Sequence, residues 1–367
     1  MSRLSAVFMV TLVCVAVQAQ TVKVTPLAEK TGEFCVMDRA FLFEDPTGVR
    51  ILYDPGTTIA GGTDSRLGDV HAVLITHAHG DHIGGAKMTQ NPDAPEALCT
   101  GAFATTPATP ESNAAQIATA KNSAIVAAPP LNVFLGSKVA ALRGGTPTLF
   151  CAGIGARNEV TVPLAIPCVA FVGVGGKLTI RLNAASAGVQ VASVPAAHPN
   201  ELLPAFLSDP EKTNLAGNAL SAYLGLATGF VVTFSNGLVV YLSGDTGVIN
   251  DMATIVSGLY GAKLAVLNIA DQTMMGPEEA AYAAKTLIKA KSVIVSHASE
   301  VATTGGVVNA GTRTARFIDL MRAADQGHNP LLDYAPGGVA GGNVFVPRSG
   351  ITMQFDAQGR CVANCGK

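Results

Sequence analysis

Short apolar, β-branched runs recur along the chain at Val49 to Tyr53, Ala72 to Ile75, Leu178 to Leu182, Val189 to Val194, Phe230 to Phe234, Leu238 to Leu242, Leu264 to Ile269 and Val293 to Val295. Each has strand length and is bounded by polar or turn residues, which predicts eight β-strands. Between the fifth and sixth runs stands Ser235-Asn236-Gly237, and Asn-Gly between two strand-like segments predicts a hairpin. From Gly276 to Lys291 the pattern changes to that of a helix. Pro277 takes its first position, Glu278 and Glu279 fill the first turn, and Lys289 and Lys291 close it. A second helix is predicted from Thr312 to Ala324. Strands outnumber helices but the two interleave, which points to a layered α/β fold.

Residues 91–170 break this pattern. Nine prolines, from Pro92 to Pro167, punctuate them and periodicity is weak. We read the stretch as a long insertion, with some strands or a short helix of its own or serving as a lid over a substrate. The N-terminus reads as an export signal. Arg3 is followed by the apolar run Leu4 to Val17, and Val17-Gln18-Ala19 offers a cleavage site after Ala19. The run is too short to span a bilayer comfortably, and no other segment reads as transmembrane. The expected organisation is therefore a signal peptide at 1–19 and a single domain at 20–367. The destination is periplasmic or secreted, with no stable membrane span.

The 367 residues are 49% hydrophobic and only 14% charged, so a sizeable core is expected rather than disorder. The formal net charge is −2 and no basic block stands out, which argues against a nucleic-acid partner and leaves a small molecule as the expected one. Six cysteines follow the signal: Cys35, Cys99, Cys151, Cys168, Cys361 and Cys365. An even number in an exported chain suggests up to three disulfides, whose pairing the sequence leaves open. The oligomeric state is equally open.

The chemistry concentrates in Ile75-Thr76-His77-Ala78-His79-Gly80-Asp81-His82. Three imidazoles and a carboxylate in six positions suit zinc or a similar divalent metal, and a strand turning into a helix there splays them around two adjacent ions. Three more residues of ligand type follow strand-like runs: His198 after Val194, Asp245 after Leu242 and His297 after Val295. A lone histidine at a strand end is ordinarily structural. These three gain meaning only if the strand ends converge on the first cluster. Asp54, in Tyr53-Asp54-Pro55-Gly56, is either a turn residue or a carboxylate that orients a ligating imidazole. Ser243 and Ser296 lie beside ligand candidates without an evident base partner.

These motifs resemble the metallo-β-lactamase fold superfamily, with its HxHxDH run at His77, His79, Asp81 and His82 and its later motifs at His198, Asp245 and His297. Two further stretches, Gly229 to Gly247 and Asp271 to Ala281, resemble the metal-dependent hydrolase branch that contains ascorbate-6-phosphate lactonase. The resemblance implies a four-layer αβ/βα sandwich. It implies that His77, His79 and His198 hold one ion, that Asp81, His82 and His297 hold another, and that Asp245 bridges them. Asp271 matches a polar position near the site in that branch. The ions would most simply be Zn2+, with Mn2+ or Fe2+ as alternatives. The implied reaction is attack by a metal-bridging hydroxide on a small lactone or lactam, with Asp81 or Asp245 passing a proton to the leaving group. A phosphodiesterase of the same fold and a non-catalytic metal-binding protein are the competing readings. Where the branch follows its last histidine with Tyr-Gly-Thr, this chain has Ala298-Ser299-Glu300.

Overall fold

The computed structural model describes residues 20–322 and 343–366. The expected signal at 1–19, and Ala323 and Ala324 at the end of the second predicted helix, lie outside them. Two eight-stranded sheets stack face to face. The first runs Cys361–Ala363, Met353–Phe355, Val22–Leu27, Ala40–Glu44, Arg50–Tyr53, Ala72–Leu74, Ala124–Ala127, Cys168–Phe171. The second runs Val344–Phe345, Ser292–Ser296, Leu264–Asn268, Val239–Leu242, Thr228–Thr233, Val189–Pro195, Lys177–Arg181, Glu159–Thr161. All eight runs expected as strands are strands. The hairpin at Asn236-Gly237 is also present, with Gly237 N donating to Phe234 O (2.9 Å) between antiparallel partners.

Alternation along the strands sorts the apolar side chains into three cores. One lies between the sheets, with Phe41, Phe43, Phe230, Val240 and Phe355 among its members. A second lies outside the second sheet, where Arg313–Arg322 and the helical stretch from Pro277 to Ile288 cover it. A third lies outside the first sheet under Asn113–Lys121 and Leu131–Leu142. Helix, sheet, sheet, helix is the four-layer αβ/βα sandwich.

The stretch 91–170 does not stand apart as an insertion. It supplies both helices that cover the first sheet, two of that sheet's strands, and the Glu159–Thr161 edge strand of the second. Its periodicity is weak because Ala124–Ala127 is buried throughout and the first covering helix, Asn113–Lys121, buries mainly alanine; the second, Leu131–Leu142, does bury a stripe of Leu131, Leu135 and Val139. Three disulfides join successive cysteines in pairs: Cys35–Cys99, Cys151–Cys168 and Cys361–Cys365. The first ties the loop before Ala40–Glu44 to the segment after Ala86–Met88. Among the described residues no helix is long and apolar enough to cross a membrane.

In each sheet an antiparallel half gives way to a parallel half, so several strands end on one edge. Cross-sheet hydrogen bonds stitch these ends together. Thr228 N donates to Thr76 O (3.1 Å), and Gly244 N donates to the buried Tyr53 hydroxyl (2.9 Å). Removing that acceptor leaves a buried amide unsatisfied. Tyr53→Phe is therefore expected to lower unfolding stability by about 1–3 kcal/mol in denaturant titration; an unchanged midpoint would show that Gly244 N finds another acceptor.

Candidate metal centre

The strand Ala72–Leu74 runs out into Ile75-Thr76-His77 and then into a single helical turn, Gly80–Ile83, with His79 at its N-cap. The turn stops at Gly84, whose φ is +77° and where a Cβ would lie 2.3 Å from the Cβ of Asn113. Gly56 has no room either: its Cβ would sit 2.3 Å from the carbonyl oxygen of Asp81. The turn carrying the ligand candidates is thus pressed against its neighbours where only glycine fits.

His198, Asp245 and His297 arrive just past the ends of Val189–Pro195, Val239–Leu242 and Ser292–Ser296, on the same edge. The seven side chains form two groups. His77, His79 and His198 make one, and Asp81, His82, Asp245 and His297 the other. Within each group one donor atom per residue lies within 4.8 Å of the rest. Asp245 Oδ2 is central. It lies 3.2 Å from His82 Nε2, 3.3 Å from His297 Nε2, 3.8 Å from His198 Nε2 and 3.9 Å from His77 Nε2.

Four imidazoles are held by the nitrogen that faces away from this centre. His82 Nδ1 donates to Asp54 Oδ2 (2.9 Å). His77 Nδ1 meets Thr76 Oγ1 (3.0 Å), which in turn donates to the same Asp54 oxygen (2.7 Å). His198 Nδ1 meets Thr273 O (3.1 Å), and His297 Nδ1 meets Ser299 Oγ (3.2 Å). With Nδ1 donating, each ring presents an Nε2 lone pair inward, as metal ligation requires. His77 Nε2, His82 Nε2 and Asp245 Oδ1 are buried without a hydrogen-bond partner. Buried orphan acceptors are costly unless something else satisfies them, and a pair of divalent cations fits this donor set.

The electrostatics agree. Burial holds the His77, His79 and His198 imidazoles below the ordinary histidine range, so they are neutral ligands. Burial also lowers His82, but the carboxylates of Asp245, Asp81 and Asp54 outweigh it and push the ring up to about 10. An arriving cation would take the place of that proton. Although burial raises both carboxylates, Asp81 is held well below the usual carboxylate range by Arg39 and the imidazoles His82 and His297. Asp245 is held there by His297 and His82. Arg39 is itself buried and forms an ion pair with Asp81 Oδ2.

The sequence-expected residues come together, with one qualification. Asp54 sits behind His82 and His77, its backbone in the left-handed region at φ +38°. Asp271 is exposed and accepts from its neighbour Gln272 N (2.9 Å). From that loop it is the Thr273 carbonyl that reaches a ligand candidate. Thr76, Arg39, Asn200, Thr273 and Ser299 escaped the sequence reading. Thr76, Asn200 and Ser299 lie within two positions of a histidine, which was the only local signal. Asn200 Oδ1 accepts from Ala78 N (2.6 Å), and Asn268 Nδ2 donates to Gly244 O (2.7 Å), fixing the turn before Asp245. Ser243 Oγ makes local bonds of this kind too, donating to Gly244 O (2.8 Å).

This is the site of a metal-dependent hydrolase, and comparisons with known proteins agree. A profile described as Metallo-beta-lactamase superfamily matches residues 39–96. A metal-dependent hydrolase of Herpetosiphon aurantiacus is 27% identical over 264 residues, 70% of this chain and 78% of its own. One from Cupriavidus metallidurans is 28% identical over 258 residues, 69% and 67% of the two chains. A relative from Methanosphaera stadtmanae reaches 44%, but over 73 residues that make up 31% of its length. Among solved structures, Igni18, a metallo hydrolase of the archaeon Ignicoccus hospitalis, shares the fold at a TM-score of 0.50 and 20% identity, covering 92% of this chain and 99% of its own. The chain is thus similar to the metallo-β-lactamase superfamily in the profile matched at residues 39–96 and in its fold.

Two predictions follow from the groups behind the donors. Asp54 braces one imidazole of each group, His82 directly and His77 through Thr76. Asp54→Asn should weaken both ions in metal titration by about 10–100-fold, whereas Thr76→Val should weaken chiefly one. Equal effects from the two variants would show that Thr76 is not the separate link to His77. The second concerns Asp38, whose backbone oxygen accepts from His297 N (3.1 Å). Burial, with repulsion from Glu29, pushes its carboxyl up from 3.8 to about 7, against lowering by Cys35 N, Glu29 N and Arg39. Between those values the folded state holds the proton more tightly than the unfolded one, so this group costs stability as pH rises through that window. The stability of Asp38→Asn relative to wild type should climb from pH 4 to pH 8 by up to about 4 kcal/mol; a flat difference in chemical denaturation would contradict this.

Proposed function

We propose that this metal-dependent hydrolase works with two divalent ions, zinc in the first instance, on a small cyclic ester or amide outside the cytoplasm. The observation that carries the reading is the convergence of seven donor side chains from four separate strand ends, with the Nε2 atoms of four imidazoles turned inward. His77, His79 and His198 would hold one ion, and Asp81, His82 and His297 the other, with Asp245 Oδ2 shared. Bound there, such ions lower the pKa of a water molecule and polarise the oxygen of a carbonyl under attack.

The chain's own residues divide the remaining work. Asp54, Thr76, Thr273 and Ser299 fix ring orientation. Asp245 is closed off, whereas the Asp81 side chain is 31% exposed, so Asp81 is the carboxylate placed to carry a proton between the site and a leaving group. Its low pKa keeps it ionised. Among the described residues, the one guanidinium lining this pocket, Arg39, is already paired with Asp81. That favours a neutral scissile group such as a lactone or lactam over a phosphodiester. The likeness of Gly229 to Gly247 and Asp271 to Ala281 to the lactonase branch supports the same choice. Three disulfides suit an oxidising compartment and support export, together with the apolar N-terminal run.

Metal analysis of the mature protein, with a panel of lactone, lactam and phosphodiester substrates, tests the proposal. Two ions per chain and turnover of a lactone or lactam are expected, and His79→Ala should abolish that turnover while leaving the fold intact by circular dichroism. Turnover of phosphodiesters alone would overturn the substrate class. Two bound ions with no turnover at all would mark a metal-binding protein without this activity.

A further inference from the structure

The excursion between Val189–Pro195 and Thr228–Thr233 carries His198 at its start and then leaves the sheet for some thirty residues. Both its limbs are fastened next to the ligand run. Asn200 accepts from Ala78 N (2.6 Å) and donates to Leu224 O and Gly225 O (both 3.0 Å). Leu202 and Phe206 are buried in the core outside the first sheet. Between and beyond these anchors the segment exposes four large apolar side chains: Leu203 at 42%, Leu220 at 62%, Tyr223 at 55% and Leu226 at 60%. Single exposed apolar residues need no explanation, but four within one short anchored segment do.

Their place suggests one. Leu203 packs on Gly80 so closely that a Cβ there would lie 2.3 Å from Leu203 Cδ1. Gly80 separates His79 from Asp81, and these two reach solvent, whereas His77, His82, Asp245 and His297 are buried. The centre therefore opens beside Leu203. Leu226 precedes Ala227 and Thr228, whose backbones bond Ala196 (3.2 Å) and Thr76 (3.1 Å), so it flanks the same ligand run. Val248, 38% exposed, stands on a separate loop after Val239–Leu242, where Gly247 N donates to Ala197 O (3.1 Å).

We infer that residues 199–227 form an apolar lip at the mouth of the metal centre, and that it takes an alkyl or aryl substituent carried by the hydrolysable ester or amide. The inference rests on the proposed two-ion hydrolase and adds the chemical class of the substrate's non-reacting part. Covering such a lip would strengthen binding by about fourfold per methylene fully removed from water. Leu203 sits on the turn that carries His79 and Asp81, so an occupant anchored on the ions would reach it without any change of fold.

The test uses zinc-loaded full-length mature protein and two chelating probes, acetohydroxamate and octanohydroxamate, with affinity read by calorimetry. Wild type should bind the octanoyl probe at least about tenfold more tightly than the acetyl probe. Leu203→Asn should cut that ratio toward one while zinc stoichiometry stays at its wild-type value. Leu226→Asn, on the other limb, should reduce it as well, so that a folding defect in one variant does not decide the matter. Equal affinities for both probes in wild type would overturn the lip while leaving the metal centre standing. That is the outcome expected if these leucines pack against a second copy of the chain. An unchanged ratio in both variants would also overturn it. No binding of either probe would sink the two-ion reading and the lip with it.

Discussion

Two carboxylates and five imidazoles crowded onto one edge of a sandwich repel, desolvate and strand one another unless something outside the group fixes them. In this chain the Asp54 carboxylate does much of that. It is fully buried, holds a left-handed backbone conformation, and accepts from Thr76 N, Thr76 Oγ1 and His82 Nδ1. Through these bonds one side chain at the end of Arg50–Tyr53 sets the tautomer of two ligand rings and the path of the backbone between them. A strained residue persists where its surroundings over-determine it, and such places are where function tends to sit. His297 (φ +45°) and Ser299 (φ +51°) repeat the pattern on the opposite sheet.

The two sheets must also be held in a fixed relation, because neither carries a complete donor set. His77, His79, Asp81 and His82 come from the first, and His198, Asp245 and His297 from the second. The bonds Thr228 to Thr76, Gly244 to Tyr53 and Ala78 to Asn200 all cross between them within a few residues of a ligand. The apolar layer of Phe41, Phe43, Phe230 and Phe355 supplies most of the cohesion between sheets. The cross-sheet bonds supply position, since hydrophobic contact is not directional whereas a buried hydrogen bond is. Arg39 adds a fixed positive charge at Asp81 Oδ2, the same oxygen that lies 3.3 Å from His297 Nε2, so the carboxylate is held in place at the centre.

Much of this was legible in the residues. All eight runs read as strands are strands, because each has strand length and sharp polar boundaries. The helix after Gly276 begins at Pro277 as its proline and paired glutamates require, although its second half, Ala283–Ile288, winds more widely than an α-helix. The strands Val22–Leu27 and Ala40–Glu44 escaped notice: the first contains Pro26 at an antiparallel pairing with Phe41, and the second is apolar without alternation. Asp209–Gly217 also escaped. It buries none of its residues and so has no periodicity, and only its Ser208–Glu211 capping box announced it. The stretch 91–170 was set apart for its prolines, yet Pro129 and Pro130 merely separate the buried strand Ala124–Ala127 from the helix Leu131–Leu142.

The sequence by itself determined the chemistry of the donors and the local geometry of four of them, because a histidine–aspartate cluster within six positions cannot avoid being a cluster. It also marked His198, Asp245 and His297 as strand-end residues. Only the tertiary structure decided that those three strand ends meet the first cluster, since convergence depends on strand order and on which edge each strand reaches. The same holds for the cysteine pairing, for the brace that Asp54 and Thr76 make behind His77 and His82, and for the seating of Leu203 on Gly80. Each is a contact between residues far apart in the chain. Local pattern carries no information about such distances until the sheets are packed.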